Sequence, residues 1–196
     1  GAEGHAGDGE GRSAEVTMHI PSEEQFVIGS TAEPGKIGKP IFTDYIDAPE
    51  LKEISERLMQ GPMSSLDDGE LLIDFRWKHR GGTSGGNMTM GKCIKLSGYA
   101  KHYAAGAHFL IWVAADWCSD FDDNQLEAIV FHEILHIERE EDVDKDGNTV
   151  VKYRTRGHDA EVFFEELSRY GAWTANRARL IEVVRQLALP MEVAVS

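Results

Sequence analysis

Two cysteines, Cys93 and Cys118, stand in a chain of 196 residues. That is too few for a disulfide scaffold and points to a reduced, cytoplasmic protein. Long apolar runs are missing as well. None approaches the ~20 residues that a membrane helix needs, and no charged-then-apolar leader opens the sequence. Neither a membrane span nor a retained secretory signal is therefore expected. Basic residues are short too, with 20 Lys+Arg against 34 Asp+Glu and a formal charge of −14. Such acidity argues against a surface built to grip nucleic-acid phosphates. What the chain does have is apolar material, 41% of its residues, enough for the core of one domain with trimmings.

The acidity is uneven. Residues 1–30 carry six acids and one base, residues 116–146 carry twelve acids and two bases, and the remainder is near neutral. Residues 1–15, GAEGHAGDGEGRSAE, are Gly-rich, acidic and nearly free of large apolar side chains, so a disordered tail is expected there. Over 16–46, Pro21, Pro34 and Pro40 interrupt any long element, and the segment reads as a partly ordered arm. A folded domain is expected over 47–188, with a frayed C-terminus at 189–196.

Within that domain the first clear helix falls at about 47–60, with Asp47 as cap, Pro49 in the first turn and Gly61-Pro62 as stop. Leu51, Ile54, Leu58 and Met59 give it an apolar stripe. LLIDFRWKH, 71–79, reads as a strand, RGGTSGGNM, 80–88, as a flexible connection, and KCIKLSG, 92–98, as a second strand. A short helical piece is expected at 99–105. FLIWVAAD, 109–116, is a continuous apolar run suited to a covered strand. A long helix starts near Asp122, whose side chain and Gln125 form a capping-box variant. Its segment DNQLEAIVFHEILHIERE is apolar over most of its circumference, with Leu126, Val130, Ile134 and Ile137 in one stripe and Phe131 and Leu135 beside it, so it is expected to be central and buried. Residues 140–156 read as a hairpin turning at Asp146-Gly147-Asn148. Helices at about 158–169 and 173–187 follow. The pattern is α+β.

The central helix carries His132-Glu133-Ile134-Leu135-His136, an HExxH motif. Histidines four apart project from one helix face, so both imidazoles reach one metal ion. Glu133 follows the first of them and is placed to act as general base on a water that zinc would acidify toward pKa ~7. Two histidines and a glutamate in a buried apolar helix are expensive unless satisfied, and a metal satisfies them. A catalytic zinc takes three protein ligands and keeps one open position. His158, in RTRGHDAEVFFEEL, is the leading third candidate, with Asp159, Glu161 and Glu165 as acidic rivals.

The stretch HFLIWVAADWCSDFDDNQLEAIVFHEILHIEREEDVDKDGNTVVKYRTRGHDAEVFFEELSRYGAW resembles the phage metallopeptidase family and, more distantly, SprT-like zinc peptidases. The resemblance covers about residues 71–175. It rests on a strand ending in Asp116-Trp117, the helix with HEILH, an acidic hairpin, and a helix from His158-Asp159 to Arg169-Tyr170-Gly171. It implies a compact zincin-like domain over 47–188, with a small, mostly antiparallel sheet packed on the central HExxH helix and further helices after it. It implies Zn2+ on His132, His136 and His158, with Glu133 as catalytic base, and a peptide or protein substrate. The expected reaction is hydrolysis of a peptide bond: Glu133 takes the proton of a zinc-bound water and passes it to the leaving amine. The FLIWVAAD strand is expected to border the cleft and take substrate as an added strand. Tyr153, Arg154, Arg156 and Tyr170 are the candidates for an oxyanion helper, and each reads better as structural.

Two other readings compete. One is a zinc-binding regulatory or interaction module without turnover, which the presence of Glu133 opposes, since a structural zinc site needs no base and closes with four protein ligands. The other is a DNA-associated protease of the SprT type, which calls for a basic patch or zinc ribbon that the sequence lacks. Asp142-Val143-Asp144-Lys145-Asp146-Gly147 matches half a calcium loop, but Tyr153 stands where the bidentate Glu belongs, so an acidic hairpin tip is expected. GNMTMGKC, 86–93, falls short of a phosphate loop, having Cys93 for Ser/Thr and leading into a strand. His79, His102 and His108 read as ordinary histidines. The acidity of 116–146 predicts a negative field around the metal and a bias toward neutral or basic substrate segments.

Overall fold

The computed structural model describes residues 18–31, 37–84, 87–158, 163–175, 177–179, 181 and 182. The tail expected over 1–15 and the frayed end expected over 189–196 lie outside the described residues. In chain order the strands and helices are β1 (Val27–Ser30), β2 (Pro40–Phe42), β3 (Tyr45–Asp47), α1 (Pro49–Met59), β4 (Ile73–Lys78), β5 (Gly82–Ser84), β6 (Asn87–Thr89) and β7 (Gly91–Lys95). They continue with α2 (Gly98–Tyr103), β8 (Phe109–Ala114), α3 (Ala115–Cys118), α4 (Asp123–Leu135), β9 (Ile137–Val143), β10 (Thr149–Thr155) and α5 (Phe164–Tyr170).

The expected α+β architecture is present. The main sheet has the order β3-β4-β8-β7. Its outer pairs are antiparallel and its central pair, β4 with β8, is parallel. One face packs on α1 and α4, which also touch each other. Phe75 and Trp77 of β4, Phe109, Ile111 and Val113 of β8, Leu51, Ile54 and Leu58 of α1, and Leu126, Ile129, Val130 and Ile134 of α4 form the shared core. Each such side chain contributes roughly 1.5–3 kcal/mol by leaving water. On the opposite face the Lys78 ammonium lies 4.4 Å over the Trp112 ring, which explains why β8 reads as apolar without alternation.

Three expectations about the sheet and its first helix need correction. Asp47 does not cap α1. The N-cap position is Ala48, which makes no side-chain cap bond, and Asp47 ends β3 and pairs with Arg76. Pro49 alone, fixed in φ at the first helical position, sets the start. The connection 80–88 is not featureless but forms the antiparallel pair β5–β6. Most consequentially, β8 cannot take an added strand, because β4 and β7 occupy its two edges. Among the described residues, the edge left open next to α4 belongs to β7.

The central helix is capped as expected: Asp122 Oδ1 accepts from the Gln125 amide at 2.8 Å and Gln125 Oε1 from the Asp122 amide at 3.1 Å. From Leu126 to Leu135 all but Glu127 are buried. It is shorter than expected, ending at Leu135 with His136 as C-cap, still in helical dihedrals. Ile137 already belongs to β9, because the chain there enters the β9–β10 hairpin, paired in register from Ile137↔Thr155 to Val143↔Thr149. At the hairpin tip Asp144 Oδ1 accepts from the amides of Asp146 and Asn148, and Asp142 pairs with Lys152 at 2.5 Å. The calcium-loop resemblance is thus an acidic turn. Arg154 likewise pairs with Glu140 at 2.8 Å, so bases from outside 116–146 offset part of the acidity counted along that segment.

The first C-terminal helix also begins later than expected, at Phe164, and His158 carries no helical assignment. Residues 159–162 lie outside the described residues. Of the helix expected over 173–187, positions 175, 177–179, 181 and 182 are helical and the others lie outside the described residues. Among the described residues no helix is long and apolar enough to cross a membrane.

Candidate metal centre

His132 sits on the last turn of α4 and His136 one turn on, at its C-cap, with ring centroids 5.2 Å apart. The third imidazole arrives through the hairpin. Its returning strand is tied to the helix end by a bond from the Arg156 amide to the His136 carbonyl, 2.7 Å, and two residues later His158 lies against both histidines. His158 Nε2 is 3.1 Å from His132 Nε2, and its ring centroid is 4.6 Å from that of His136. One ligand atom from each of the three lies within 4.8 Å of the others. Phe163 underlies all three rings at centroid distances of 5.3, 4.8 and 5.1 Å for His132, His136 and His158.

The remaining ring nitrogens are held from behind. His136 Nδ1 donates to the Arg156 carbonyl at 2.8 Å. His132 Nδ1 lies 2.5 Å from a carboxylate oxygen of Glu166, a residue with no exposed surface. A ring nitrogen that donates backward leaves its partner nitrogen with a bare lone pair, so the Nε2 atoms of His132 and His136 both face the cluster as acceptors. Lone pairs converging in this way call for a cation between them, and a carboxylate or carbonyl behind a ligating imidazole is the usual companion of such a site. Burial, with the neighbouring histidines, lowers His158 to about 4, and burial lowers His136 as well. Both are therefore neutral, the form that ligates a metal. By donor chemistry, the residues present fit a metal ion.

Glu166 was not singled out by sequence reasoning, which weighed its neighbour Glu165 instead. Glu165 turns outward to Arg156 at 3.1 Å, while Asp159 and Glu161 lie outside the described residues. Glu166 also accepts from Trp173 Nε1 at 2.5 Å and faces Arg177 Nε at 2.9 Å. Burial would raise its carboxyl, but His132, Arg177 and Trp173 together hold it below the usual carboxylate range. Because His132 Nδ1 donates to Glu166, the Arg177 Nη2 approach of 3.3 Å to that nitrogen is a close contact, not a second hydrogen bond. A signal for Glu166 was available: Phe163, Glu166, Leu167 and Tyr170 form an i, i+3, i+4, i+7 stripe, and a charge on the apolar stripe of a helix marks a buried partner.

Glu133 is buried between α4 and the open edge of β7. Burial pushes its carboxyl up to about 7, while the bond from the Cys93 amide pulls the other way. Gly91 makes room for it: a Cβ there would stand 2.6 Å from Glu133 Oε1. The expected oxyanion candidates are engaged elsewhere. Tyr153 OH donates to Asp68 at 2.7 Å, Tyr170 OH to Glu127 at 2.8 Å, and Arg154 pairs with Glu140. Asp116 and Trp117 serve the scaffold, with Asp116 accepting from the Gly81 amide at 2.8 Å and Trp117 packed where a Gly81 Cβ would lie. Of the other histidines, His79 stacks between Phe26 and Phe42, and His108 Nδ1 accepts from the Leu72 amide. Burial raises both cysteine thiols, Cys118 to about 12, which leaves them inert.

In class, then, this is an α+β protein whose central helix and following hairpin assemble a three-histidine cluster able to hold a metal ion. The family model described as Putative phage metallopeptidase matches residues 43–188, well over half of the chain, and the chain belongs to that family. No curated protein and no solved structure gives a significant match.

Proposed function

We propose that the chain is a zinc peptidase in which His132, His136 and His158 hold Zn2+ and Glu133 is the general base. The observation that carries this reading is the convergence of three imidazole nitrogens within 4.8 Å, next in sequence and space to a buried carboxylate. Three histidines leave a fourth position open, as catalytic zinc requires. Zinc bound there supplies a Lewis acid that polarises a carbonyl and acidifies a water. Glu133 accepts the proton released by attack on the peptide carbonyl and returns it to the leaving amine. Glu166 keeps His132 in the tautomer that presents Nε2, and Arg177 and Trp173 keep Glu166 ionised and oriented.

The substrate is a peptide segment lying along β7. Met90 and Leu96 bond to β8 through Met90 O–Ala114 N and Leu96 N–His108 O. The alternation of an antiparallel ladder then turns the peptide groups of Gly91, Cys93 and Lys95 outward. Among the described residues these groups carry no strand partner, and apart from the Cys93 amide, which Glu133 holds, they are the row that an added strand uses.

The test is metal analysis together with casein or peptide cleavage. Wild type should bind one zinc per chain and cleave. Glu133→Ala should keep the zinc and lose cleavage, and His158→Ala should lose both. Full cleavage by Glu133→Ala would refute the catalytic reading, and full zinc occupancy in His158→Ala would refute the third-ligand assignment.

A further inference from the structure

At the Lys95 end of β7 a cavity of about 330 Å³ opens between the sheet edge, α2 and the returning strand of the hairpin. Its charged lining is Lys95, Lys101, Lys152 and Arg154, joined by His108, with no acidic side chain among the lining residues. In a chain of charge −14 that is an inversion. Lys152 and Arg154 are paired with Asp142 and Glu140. Lys95 donates to the Tyr153 carbonyl at 2.6 Å, which holds its ammonium at the cavity between β7 and β10. Among the described residues no ion pair engages Lys95 or Lys101. Asp68 and Glu70 are the acids felt at His108, and Asp68 is already bound by Tyr153 and Arg139. The cavity's cations outside any ion pair are thus Lys95 and Lys101.

We infer that this cavity is a subsite for an acidic side chain of the peptide substrate. The inference rests on the peptidase reading for the path of the substrate. Gly91, beside Glu133, and Lys95 lie four residues apart on one strand, about 13 Å at the usual strand rise. Antiparallel addition, the better-bonded mode, runs the substrate from Lys95 toward Gly91. The residues N-terminal to the scissile bond then lie along Cys93 and Lys95, and the third to fifth of them reach the cavity. A carboxylate there meets two ammonium groups that no ion pair engages among the described residues. Over this short stretch the local preference opposes the basic bias expected from the chain's overall acidity.

The test uses decapeptides blocked at both ends that carry Glu, Gln or Lys at each of the third to fifth positions before the cut, plus one set with a free C-terminus. Cleavage is measured with zinc-loaded wild type, and binding by fluorescence anisotropy with zinc-loaded Glu133→Gln. At one position Glu should be favoured over Gln by about fivefold, the size of one partly exposed ion pair, and the preference should fade with added salt. Lys101→Gln should weaken the preference, Lys95→Gln with Lys101→Gln should erase it, and Lys101→Glu should turn it toward Lys. Cleavage or binding with equal preference for Glu and Gln would overturn the subsite and leave the peptidase reading standing. A preference seen only with the free C-terminus would also overturn it, by showing that the cavity reads a chain end. Binding preference without any cleavage would refute turnover and retain the subsite. Neither binding nor cleavage of any peptide would refute both.

Discussion

Two carboxylates in this molecule are built from the same parts and do different things. Glu166 is held by a Trp173 N–H and by Arg177, and Asp68 by the Tyr153 hydroxyl and Arg139 Nε at 2.9 Å. Asp68 also accepts from the amides of Glu70 and Leu71 at 3.0 and 3.1 Å, so the bonds it receives are structural, closing the loop before β4 and tying it to the base of the hairpin. Glu166 gives one oxygen to a member of the three-histidine cluster. It is also fully buried, whereas the Asp68 side chain keeps 14% of its surface exposed. Water can replace a lost partner at Asp68 and cannot at Glu166. The chemistry of a carboxylate therefore does not tell its role; its depth and the identity of one neighbour do.

The largest expected effect comes from breaking the deeper cluster. Glu166→Ala leaves the buried Nε of Arg177 without its counter-charge and should destabilise the fold by about 3 kcal/mol, read by denaturant unfolding of metal-free protein. In zinc-loaded protein, Glu166→Gln should weaken metal affinity by roughly 10–100-fold, measured by competition with a chelator. Unchanged affinity in the Gln variant would show that Glu166 serves the scaffold as Asp68 does.

Gly91→Ala probes the centre without touching either carboxylate. The new methyl lands 2.6 Å from Glu133 Oε1, so Glu133 must move. A shift of about 1 Å relieves that contact and should lower turnover by about 100-fold, while zinc content should stay at the wild-type level. Unimpaired turnover would mean that the position Glu133 takes here is not the one that works.

At the shallower cluster the effects shrink. Asp68→Asn should cost about 1–2 kcal/mol of stability and leave zinc affinity unchanged; a loss of zinc would erase the distinction between the two sites. The same residue gives a pH signature. Burial alone would raise Asp68, but Tyr153, Arg139 and the two amides outweigh it and hold its carboxyl at about 2, against 3.8 unperturbed. A depressed folded pKa contributes stability that is complete above the unfolded value and disappears as pH falls through the folded one. Wild type should therefore lose its advantage over Asp68→Asn between about pH 4 and 2, and a Tm difference independent of pH would contradict that. Lys152→Ala, which removes an exposed pair with Asp142 at the hairpin tip, should leave stability nearly unchanged in denaturant unfolding.

Much of the centre was legible because it is local. The four-residue spacing of His132 and His136, the capping pair Asp122–Gln125 and the turn at Gly147, φ +84°, are each written within a few residues and need no knowledge of the rest of the chain. The limits of α4 and α5 were less legible. Apolar periodicity runs on through Ile137, but pairing of Ile137 with Thr155 across the hairpin wins over continuation of the helix. Likewise Asp47 has the chemistry of a cap but is taken up by Arg76, a residue 29 positions away whose placement follows from the β3–β4 pairing.

By itself the sequence determined that a helix would present two histidines and a glutamate from a buried environment, that a hairpin would follow, and that the chain would be α+β. Only the tertiary structure decided which strand is open, which acid stands behind His132, why residue 91 is glycine, and that four basic side chains gather at one cavity of an acidic protein. The reason is range. Helix faces, caps and turns are set by dihedral geometry over four or five residues, whereas strand order, the depth of a carboxylate and the sum of charges at a cavity are set by contacts between segments tens of residues apart, as Glu166 with His132 and Lys95 with Tyr153 both are.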